Sequence, residues 1–415
     1  MTGTVLATPR RSPLQYASFR WLLAARTTSI LGNAVAPIAL AFAVLDLTGS
    51  ATDLGLVVAS RSIANVAVLL LGGVIADRLP RHVVLVGTSL AAAATQAAVA
   101  ALVLTGSATI PGLVLLSVAN GAVAAVSLPA AAALVPDTVP ADLLRPANAL
   151  LRLGLNASGI LGASVGAGVV GVLGPGWGLT LDAAGFALAG VLFAMMSVPR
   201  APARDTAAAS VVSDLREGWR EFSGRRWVWV VVAQFTLLNA AFVGATTVLG
   251  PIVADATFGR TGWGLVVAAQ TVGLALGAVI ALRWRPRHAL GIGVALMAVT
   301  AVPVAALAVA PALPTLILAF AVGGVALEIF AIAWDQSLQT HVPRDALSRV
   351  YSYDMVGSFV AVPVGEALVG PLAHIFGTGT VLGGCAVIIV GASLAAVGVR
   401  DVRRLQVPVI GGTSP

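Results

Sequence analysis

Long apolar runs alternate with short polar breaks along almost the whole chain. Each run is close to the roughly 20 residues that an α-helix needs to cross the hydrocarbon core of a bilayer. The first run is too long for a signal-peptide core and no cleavage site follows it, so we expect it to be retained. The pattern predicts twelve membrane-spanning helices, numbered here as spans 1 to 12: 20–46, 53–76, 83–105, 109–134, 147–173, 177–198, 227–253, 262–282, 288–310, 312–335, 349–375 and 379–399.

The two halves of the chain repeat each other. Asn33-Ala34 recurs as Asn239-Ala240 at an offset of 206 residues, and other short matches recur at nearly the same offset. Two homologous bundles of six spans are therefore predicted, with a site near the membrane midplane between them. The expected domains are a first bundle, a linker, a second bundle and a tail, at 1–198, 199–226, 227–399 and 400–415.

The linker contains one segment with helical periodicity. Leu215, Trp219 and Phe222 follow the spacing of a single helix face, and Asp214 and Glu217 are spaced like a capping box. We expect an amphipathic helix that lies on the membrane surface, with a solvated linker helix as the alternative.

Composition agrees with a polytopic membrane protein. The chain is 58% hydrophobic and 10% charged, with a mean hydropathy of +0.97, whereas soluble domains carry about 25% charged residues. The net charge of +7 does not indicate nucleic acid, because no soluble domain presents a basic face. No phosphate-binding loop or hydrolase motif occurs, and the single Cys385 excludes a disulfide framework. We therefore expect no enzyme activity, no cofactor, no metal and no nucleic-acid partner.

Arginines predict the orientation. With both termini in the cytoplasm, the predicted outer loops contain Arg260 alone, beside acidic residues, and the positive-inside rule then favours this topology. The predicted inner segments contain Arg10, Arg11, Arg20, Arg78, Arg81, Arg145, Arg200, Arg204, Arg216, Arg220, Arg225, Arg226, Arg283, Arg285, Arg287, Arg344, Arg349, Arg400, Arg403 and Arg404.

The loop between spans 2 and 3 carries a motif. Gly73, Asp77, Arg78 and Arg81 are spaced as in the signature loop of the major facilitator superfamily, which this chain resembles along nearly its whole length. The resemblance implies an all-α integral membrane protein with twelve transmembrane helices in two pseudo-symmetric six-helix bundles. In the family this loop stabilises one state of the alternating-access cycle. Here Pro80 replaces the usual glycine, which stiffens the turn.

Further short motifs are similar to a bacterial exporter branch that includes macrolide-efflux and enterobactin-exporter proteins. They are Thr48-Gly49-Ser50, Leu134-Val135-Pro136, Ala147-Asn148-Ala149-Leu150, Trp334-Asp335 and His341-Val342-Pro343. This resemblance implies a monomer in the bacterial inner membrane that exports a small amphipathic molecule in exchange for protons. Span 4 has Ser117 where drug antiporters carry an arginine, and span 5 lacks the antiporter proline. Uptake or uniport of a small solute, and a non-transporting receptor, therefore stay open.

Charged residues inside the spans are costly in hydrocarbon and are functional candidates. The clear cases are Arg26, Arg61, Arg152, Asp182, Glu328 and Glu366. At a rise of 1.5 Å per residue, Arg61 and Glu366 lie at similar depth. Because spans 2 and 11 meet across the domain interface in the resembling family, we expect an ion pair between these two residues in the outward-closed state.

Glu328 is the first candidate for a proton-coupling carboxylate. Two arginines at similar predicted depth, Arg26 and Arg152, should keep it ionised, and a fixed salt bridge is the alternative role. Asp182 is placed about one turn inside span 6, where a helix-capping role is expected. Polar residues of the substrate cavity are predicted to be Asn33, Asn65, Asn120, Gln234, Asn239 and Gln270, some of which serve only as hydrogen bonds between helices.

Overall fold

A computed structural model describes residues 12–78, 80–197, 211–284, 286–309, 312–343 and 346–406. The described residues form helices and short connections, without a β-strand. Twelve of the helices are long and apolar enough to cross a membrane. The predicted all-α fold with twelve spans is therefore confirmed.

Most spans begin and end within a few residues of their predicted limits. Span 10 is an exception, because its helix continues six residues past the predicted end at 335, through a polar stretch, to His341. The observed bounds of spans 1 to 12 are Ala17–Thr48, Ala51–Arg78, Arg81–Leu104, Ile110–Leu134, Leu144–Leu173, Pro175–Ala194, Arg226–Ala256, Gly259–Arg283, Ala289–Ala308, Leu313–His341, Leu347–Phe376 and Thr378–Gly398.

Four spans are interrupted near a proline. Pro37, Pro251, Pro303 and Pro363 each lie in the first turn of the helical segment that follows the interruption in spans 1, 7, 9 and 11. A proline removes one backbone hydrogen bond and its ring clashes with the preceding turn, so each interruption has a local cause. The segments before and after are Ala17–Asn33 and Ala36–Thr48, Arg226–Gly244 and Gly250–Ala256, Ala289–Leu296 and Ala301–Ala308, and Leu347–Phe359 and Val362–Phe376.

The twelve spans place both described chain ends on one side of the membrane, which we call the terminal side. The opposite side, the far side, has short turns. Glycines with positive φ occupy five of these turns, and they are Gly49, Gly106, Gly174, Gly259 and Gly377. The equivalent turns before spans 6 and 12 contain Gly174 (φ 91°) and Gly377 (φ 85°), a conformation that residues with a side chain rarely adopt.

The internal repeat is visible in helix packing. A β-carbon at Gly121 of span 4 would collide with the carbonyl of Arg61 in span 2, and one at Gly324 of span 10 would collide with the carbonyl of Gln270 in span 8. In both halves, a glycine therefore lets the same two helices approach backbone to backbone. The matching contacts support the predicted pseudo-symmetry of the two bundles.

The helix of the linker extends from Val211 to Ser223. Phe222 is buried against Tyr353 of span 11, with ring centroids 5.7 Å apart, and Trp219 lies at the same distance from Tyr353. Trp219 remains 55% exposed. The linker thus contains a helix whose aromatic residues Trp219 and Phe222 dock on the second bundle.

The two bundles contact each other at the far side. Span 2 packs on span 11, and span 5 packs on span 8. Gly370 of span 11 lies against the backbone of Ala51, and Gly264 of span 8 lies against Ala167 of span 5. These four positions belong to the far halves of their helices, so the far side is closed.

Arg260 forms a polar contact across this closed side. Its Nη1 donates to Asp46 Oδ2 of span 1 at 2.8 Å, its Nε donates to Asp255 Oδ1 at 2.9 Å, and its guanidinium lies 4.8 Å from the ring centroid of Phe42. Asp46 belongs to the first bundle and Asp255 to the second. Arg260 therefore links the two bundles through a partly exposed ion pair.

Replacing Asp46 with asparagine should weaken far-side closure modestly. Exposed ion pairs contribute about 0.2–1 kcal/mol, so the ratio of closed to open molecules should fall by a factor of about 1.4 to 5. Spin labels at Ser107→Cys and Thr380→Cys in a Cys385→Ala background report the far-side distance. Asp255→Asn is the matched control, because that contact stays within one bundle. An equal effect of both substitutions, or an effect that persists in high salt, would contradict this role.

Candidate functional site

Arg61 and Glu366 lie close together where spans 2 and 11 cross. Glu366 is 2% exposed, and its backbone carbonyl lies against Gly55 of span 2. Its carboxyl accepts a hydrogen bond from Ser62 and interacts electrostatically with Arg61. The two charged residues thus interact electrostatically across the domain interface.

The direct ion pair predicted between them is not formed among the described residues. Arg61 instead points Nη2 toward Asn33 Oδ1 of span 1, at 3.4 Å. Glu366 Oε2 is buried without a hydrogen-bond partner. The prediction of a direct contact is therefore wrong, because the guanidinium turns into the first bundle and Ser62 takes the position next to the carboxyl.

Asp182 also contradicts its predicted role. Span 6 begins at Pro175, so Asp182 lies two turns inside the helix, and the helix has no side-chain cap. The residue is completely buried. Its Oδ2 accepts a hydrogen bond from Gln96 of span 3 at 2.5 Å, while Oδ1 has no partner. Asp182 is therefore a buried carboxyl inside the first bundle and not a capping residue.

A glycine makes room for this carboxyl. Gly32 of span 1 faces Asp182, and a β-carbon there would lie 3.2 Å from Asp182 Oδ1. The charge of Arg61 acts on Asp182 as well as on Glu366. One arginine therefore lies between two buried carboxyls, one from each bundle.

A second set of charged residues lies nearer the terminal side. Arg152 of span 5 is exposed, Glu328 of span 10 is half-buried, and the two interact electrostatically across the bundles. Arg26 of span 1 is also partly exposed, and its buried Nε has no hydrogen-bond partner. Because span 10 extends to His341, Glu328 lies about 20 Å from either end of its helix, deeper than predicted.

Two carboxyls that sequence analysis missed complete this region. Asp335 of span 10 accepts a hydrogen bond from the hydroxyl of Tyr351, at 3.0 Å. Asp354 of span 11 accepts from Trp334 Nε1 at 2.9 Å and from the hydroxyl of Ser358 at 3.1 Å. Because span 10 is predicted to end at residue 335, Asp335 is not recognised from the sequence as an intramembrane carboxyl. The helical spacing of Glu328 and Asp335, seven residues apart, is the signal that could have found it.

Charges inside the membrane are distributed unevenly between the bundles. The three arginines, Arg26, Arg61 and Arg152, belong to the first bundle, and the acids Glu328, Asp335, Asp354 and Glu366 belong to the second. Asp182 is the exception, and it lies beside Arg61. Opposite charges therefore interact across the interface at two places, Arg61 with Glu366 and Arg152 with Glu328.

The predicted cavity amides differ in their surroundings. Asn120 is buried and donates to Thr95 at 3.2 Å, and Gln234 is buried and donates to Ser393 at 3.1 Å, both within one bundle. Asn65 donates to the Gly121 carbonyl at 3.3 Å, and Asn239 donates to that of Ser358 at 2.9 Å. Gln270 and Asn33 are partly exposed. Interhelical contacts thus account for four of the six amides, and Asn33 contacts Arg61.

The predicted signature loop is only partly described. Span 2 ends at Arg78 and span 3 begins at Arg81. The side chains of Gly73, Asp77, Arg78 and Arg81 lie outside the described part, so their role in gating stays a prediction.

Comparison with known proteins places this geometry in a family. The model of the Major Facilitator Superfamily matches residues 22–282. No curated protein matches the sequence. Solved structures share the fold at low identity. The nucleoside transporter NupG has a TM-score of 0.73 at 17% identity, covering 92% of this chain and 100% of that one.

Two other solved structures are similar over most of their length. The D-xylose-proton symporter has a TM-score of 0.66 at 16% identity. The match covers 92% of this chain and 95% of the symporter chain. A bacterial homologue of the human lysosomal transporter Spinster, in an inward-facing and unoccupied conformation, has a TM-score of 0.63 at 15% identity, with 92% and 93% covered. At these identities the likeness concerns the fold alone.

Proposed function

The chain belongs to the Major Facilitator Superfamily, and from this premise we propose that it is a proton-coupled exporter of a small amphipathic compound. Alternating access of a site between the bundles to the two sides of the membrane would provide the transport cycle. The far side is closed in this structure, so the site would open to the terminal side. With the orientation that the arginines predict, this is the cytoplasmic side.

Glu328 carries the proposal. It is a half-buried carboxyl near the middle of the membrane, and its nearest opposite charge, Arg152, lies on the other bundle and is exposed. A carboxyl in this setting can bind a proton, or it can bind the cationic group of a substrate, but it cannot bind both at once. Mutual exclusion at one carboxyl is the physical basis of exchange between substrate and protons.

A row of aromatic rings on spans 7 and 10 packs inside the second bundle, where Phe330 and Trp334 are buried. Phe235 and Phe330 stack with ring centroids 4.5 Å apart, and Phe330 stacks on Trp334 at 6.3 Å. Trp334 in turn donates to Asp354. These rings stabilise the second bundle around Asp354, so the amphipathic character of the proposed substrate rests on the resemblance to bacterial exporters.

Proton-coupled uptake is the second candidate. The observation that favours it is the fold shared with a protein described as a D-xylose-proton symporter. Uniport would require neither Glu328 nor a proton gradient.

The sign of proton movement separates these functions. Proteoliposomes with a trapped pH dye should become more alkaline inside when a transported compound is added outside, because protons leave as the compound enters. Glu221→Gln, which changes a partly exposed carboxyl paired with Arg225 on the linker helix, is the matched control and should respond like the wild type. Acidification would instead indicate symport, and compound entry without a pH change would indicate uniport. Either result would overturn proton-coupled export.

A further inference from the structure

We propose that Asp182, Arg61 and Glu366 form one proton-binding site across the domain interface, and that the far side closes only when this site holds a proton. The inference extends the proposed proton coupling to a second location. It concerns closure of the far side, whereas Glu328 concerns exchange with the substrate.

The charges of these three side chains do not balance when all of them are ionised. Arg61 is one cation, and its charge acts on two carboxyls, Asp182 and Glu366. Both carboxyls are at least 98% removed from solvent, and each has one buried oxygen without a hydrogen-bond partner. An ionised carboxylate out of water is costly unless it is paired. One guanidinium can balance one carboxylate, so the other must bind a proton, as in carboxyl pairs that share a site.

Other charged groups on the surrounding helices lie at different depths. Span 6 packs on spans 1, 3 and 5, and the far half of span 11 packs on spans 2, 7 and 12. Those described helices also carry acids and one histidine near their far ends, which are Asp46, Asp53, Asp255 and His374. Toward the terminal side they carry Arg20, Arg26, His82, Arg145, Arg152 and Arg226. Of all these groups, Arg61 is the one whose charge acts on both carboxyls.

Closure brings the three residues together because they belong to different bundles. Asp182 and Arg61 lie in the first bundle and Glu366 in the second, at the contact between spans 2 and 11. When the far side opens, this contact separates, Asp182 keeps Arg61 as its counter-ion, and Glu366 reaches water and ionises. The closed state thus binds one more proton than the open state.

The proton count gives the sign of the pH dependence. Since the closed state binds the additional proton, lowering the pH should favour closure, and raising it should favour opening. With one proton involved, the ratio of closed to open molecules should change up to about tenfold per pH unit. Substituting either carboxyl with its amide leaves one carboxyl for one arginine, so closure should then be nearly independent of pH.

The test measures far-side distances without any substrate. Spin labels at Ser107→Cys and Thr380→Cys in the Cys385→Ala protein are followed from pH 5 to pH 9. The parent protein, in which the three site residues are unchanged, should shift toward the short far-side distance at low pH. In Glu366→Gln and in Asp182→Asn, this distance should be nearly independent of pH. Asp53→Asn, the same kind of change on the helix of Arg61, is the control and should titrate like the parent.

Several results would overturn the proposal. One is a far-side distance that does not change with pH in the parent protein. Another is an unchanged pH dependence of that distance in Glu366→Gln. A third is a distance that depends on whether the buffer contains Na⁺ or choline at constant pH. Glu366→Gln decides the matter if Asp182→Asn does not fold. The readout needs no transport, so a pH-dependent closure without substrate-coupled proton movement would retain this site and reject the proposed function. Proton-coupled transport together with closure that does not depend on pH would retain the proposed function and reject this site.

Discussion

Arg61→Gln is expected to destabilise the protein strongly, and more at high pH than at low pH. The substitution leaves the buried carboxyls of Asp182 and Glu366 without their shared cation. Loss of one partner from a buried charged group typically costs on the order of 3–5 kcal/mol. Acidic conditions can neutralise the carboxyls, so the loss should shrink as the pH falls. Thermal unfolding of the purified protein in detergent, followed at pH 5 and pH 8, measures both effects.

A second substitution tests the cause. Removing a carboxyl as well, in Arg61→Gln with Glu366→Gln, should recover part of the stability at pH 8, because one fewer buried carboxylate then lacks a cation. Arg260→Gln is the matched control, since its ion pairs are partly exposed and should contribute little. Equal losses for Arg61→Gln and Arg260→Gln, or no recovery in the double variant, would show that Arg61 does not compensate the two carboxyls.

The other large effect is expected at the two glycines of the internal repeat. Alanine at Gly121 would place a β-carbon against the backbone carbonyl of Arg61, and alanine at Gly324 would do the same at Gln270. Backbone atoms cannot move aside without separating the helices, so each substitution should cost about 1–3 kcal/mol. The yield of folded protein and its melting temperature should both decrease.

Other glycines in the spans provide the controls. A β-carbon at Gly168 of span 5 or at Gly383 of span 12 would meet no atom within 4 Å. Alanine at these positions should be tolerated, and it can even stabilise a helix because alanine has the higher helix propensity. The packing account of the repeat would be contradicted if Gly121→Ala melted at the same temperature as Gly168→Ala.

The number of spans was predictable because the bilayer imposes their length. Every backbone polar group in hydrocarbon must be bonded within a helix, so a long apolar run has few alternatives. The depth of Arg61 and Glu366 followed from the same geometry, since the rise per residue is constant. The same arithmetic places the two residues at similar depth in the membrane.

The directions of side chains are harder to predict from the sequence than the number of spans. Asp182 was misplaced because hydropathy does not reveal where span 6 begins, or that Gly32 of span 1 leaves room for a carboxyl. Glu328 was placed too shallow because the last turns of span 10 are polar, and a hydropathy limit ends a helix where its apolar stretch ends. The guanidinium of Arg61 points into the first bundle because of tertiary packing. No local pattern in the sequence predicts this direction.

The central claim is that transport is coupled to protons through Glu328, and gradient-driven flux in proteoliposomes tests it most directly. A compound identified by the pH-dye assay is followed with and without an imposed pH gradient, in the wild type and in Glu328→Gln. The gradient should drive accumulation by the wild type, whereas Glu328→Gln should exchange the compound across the membrane without responding to the gradient. Wild-type flux that is equal with and without the gradient, or an undiminished gradient response in Glu328→Gln, would contradict it.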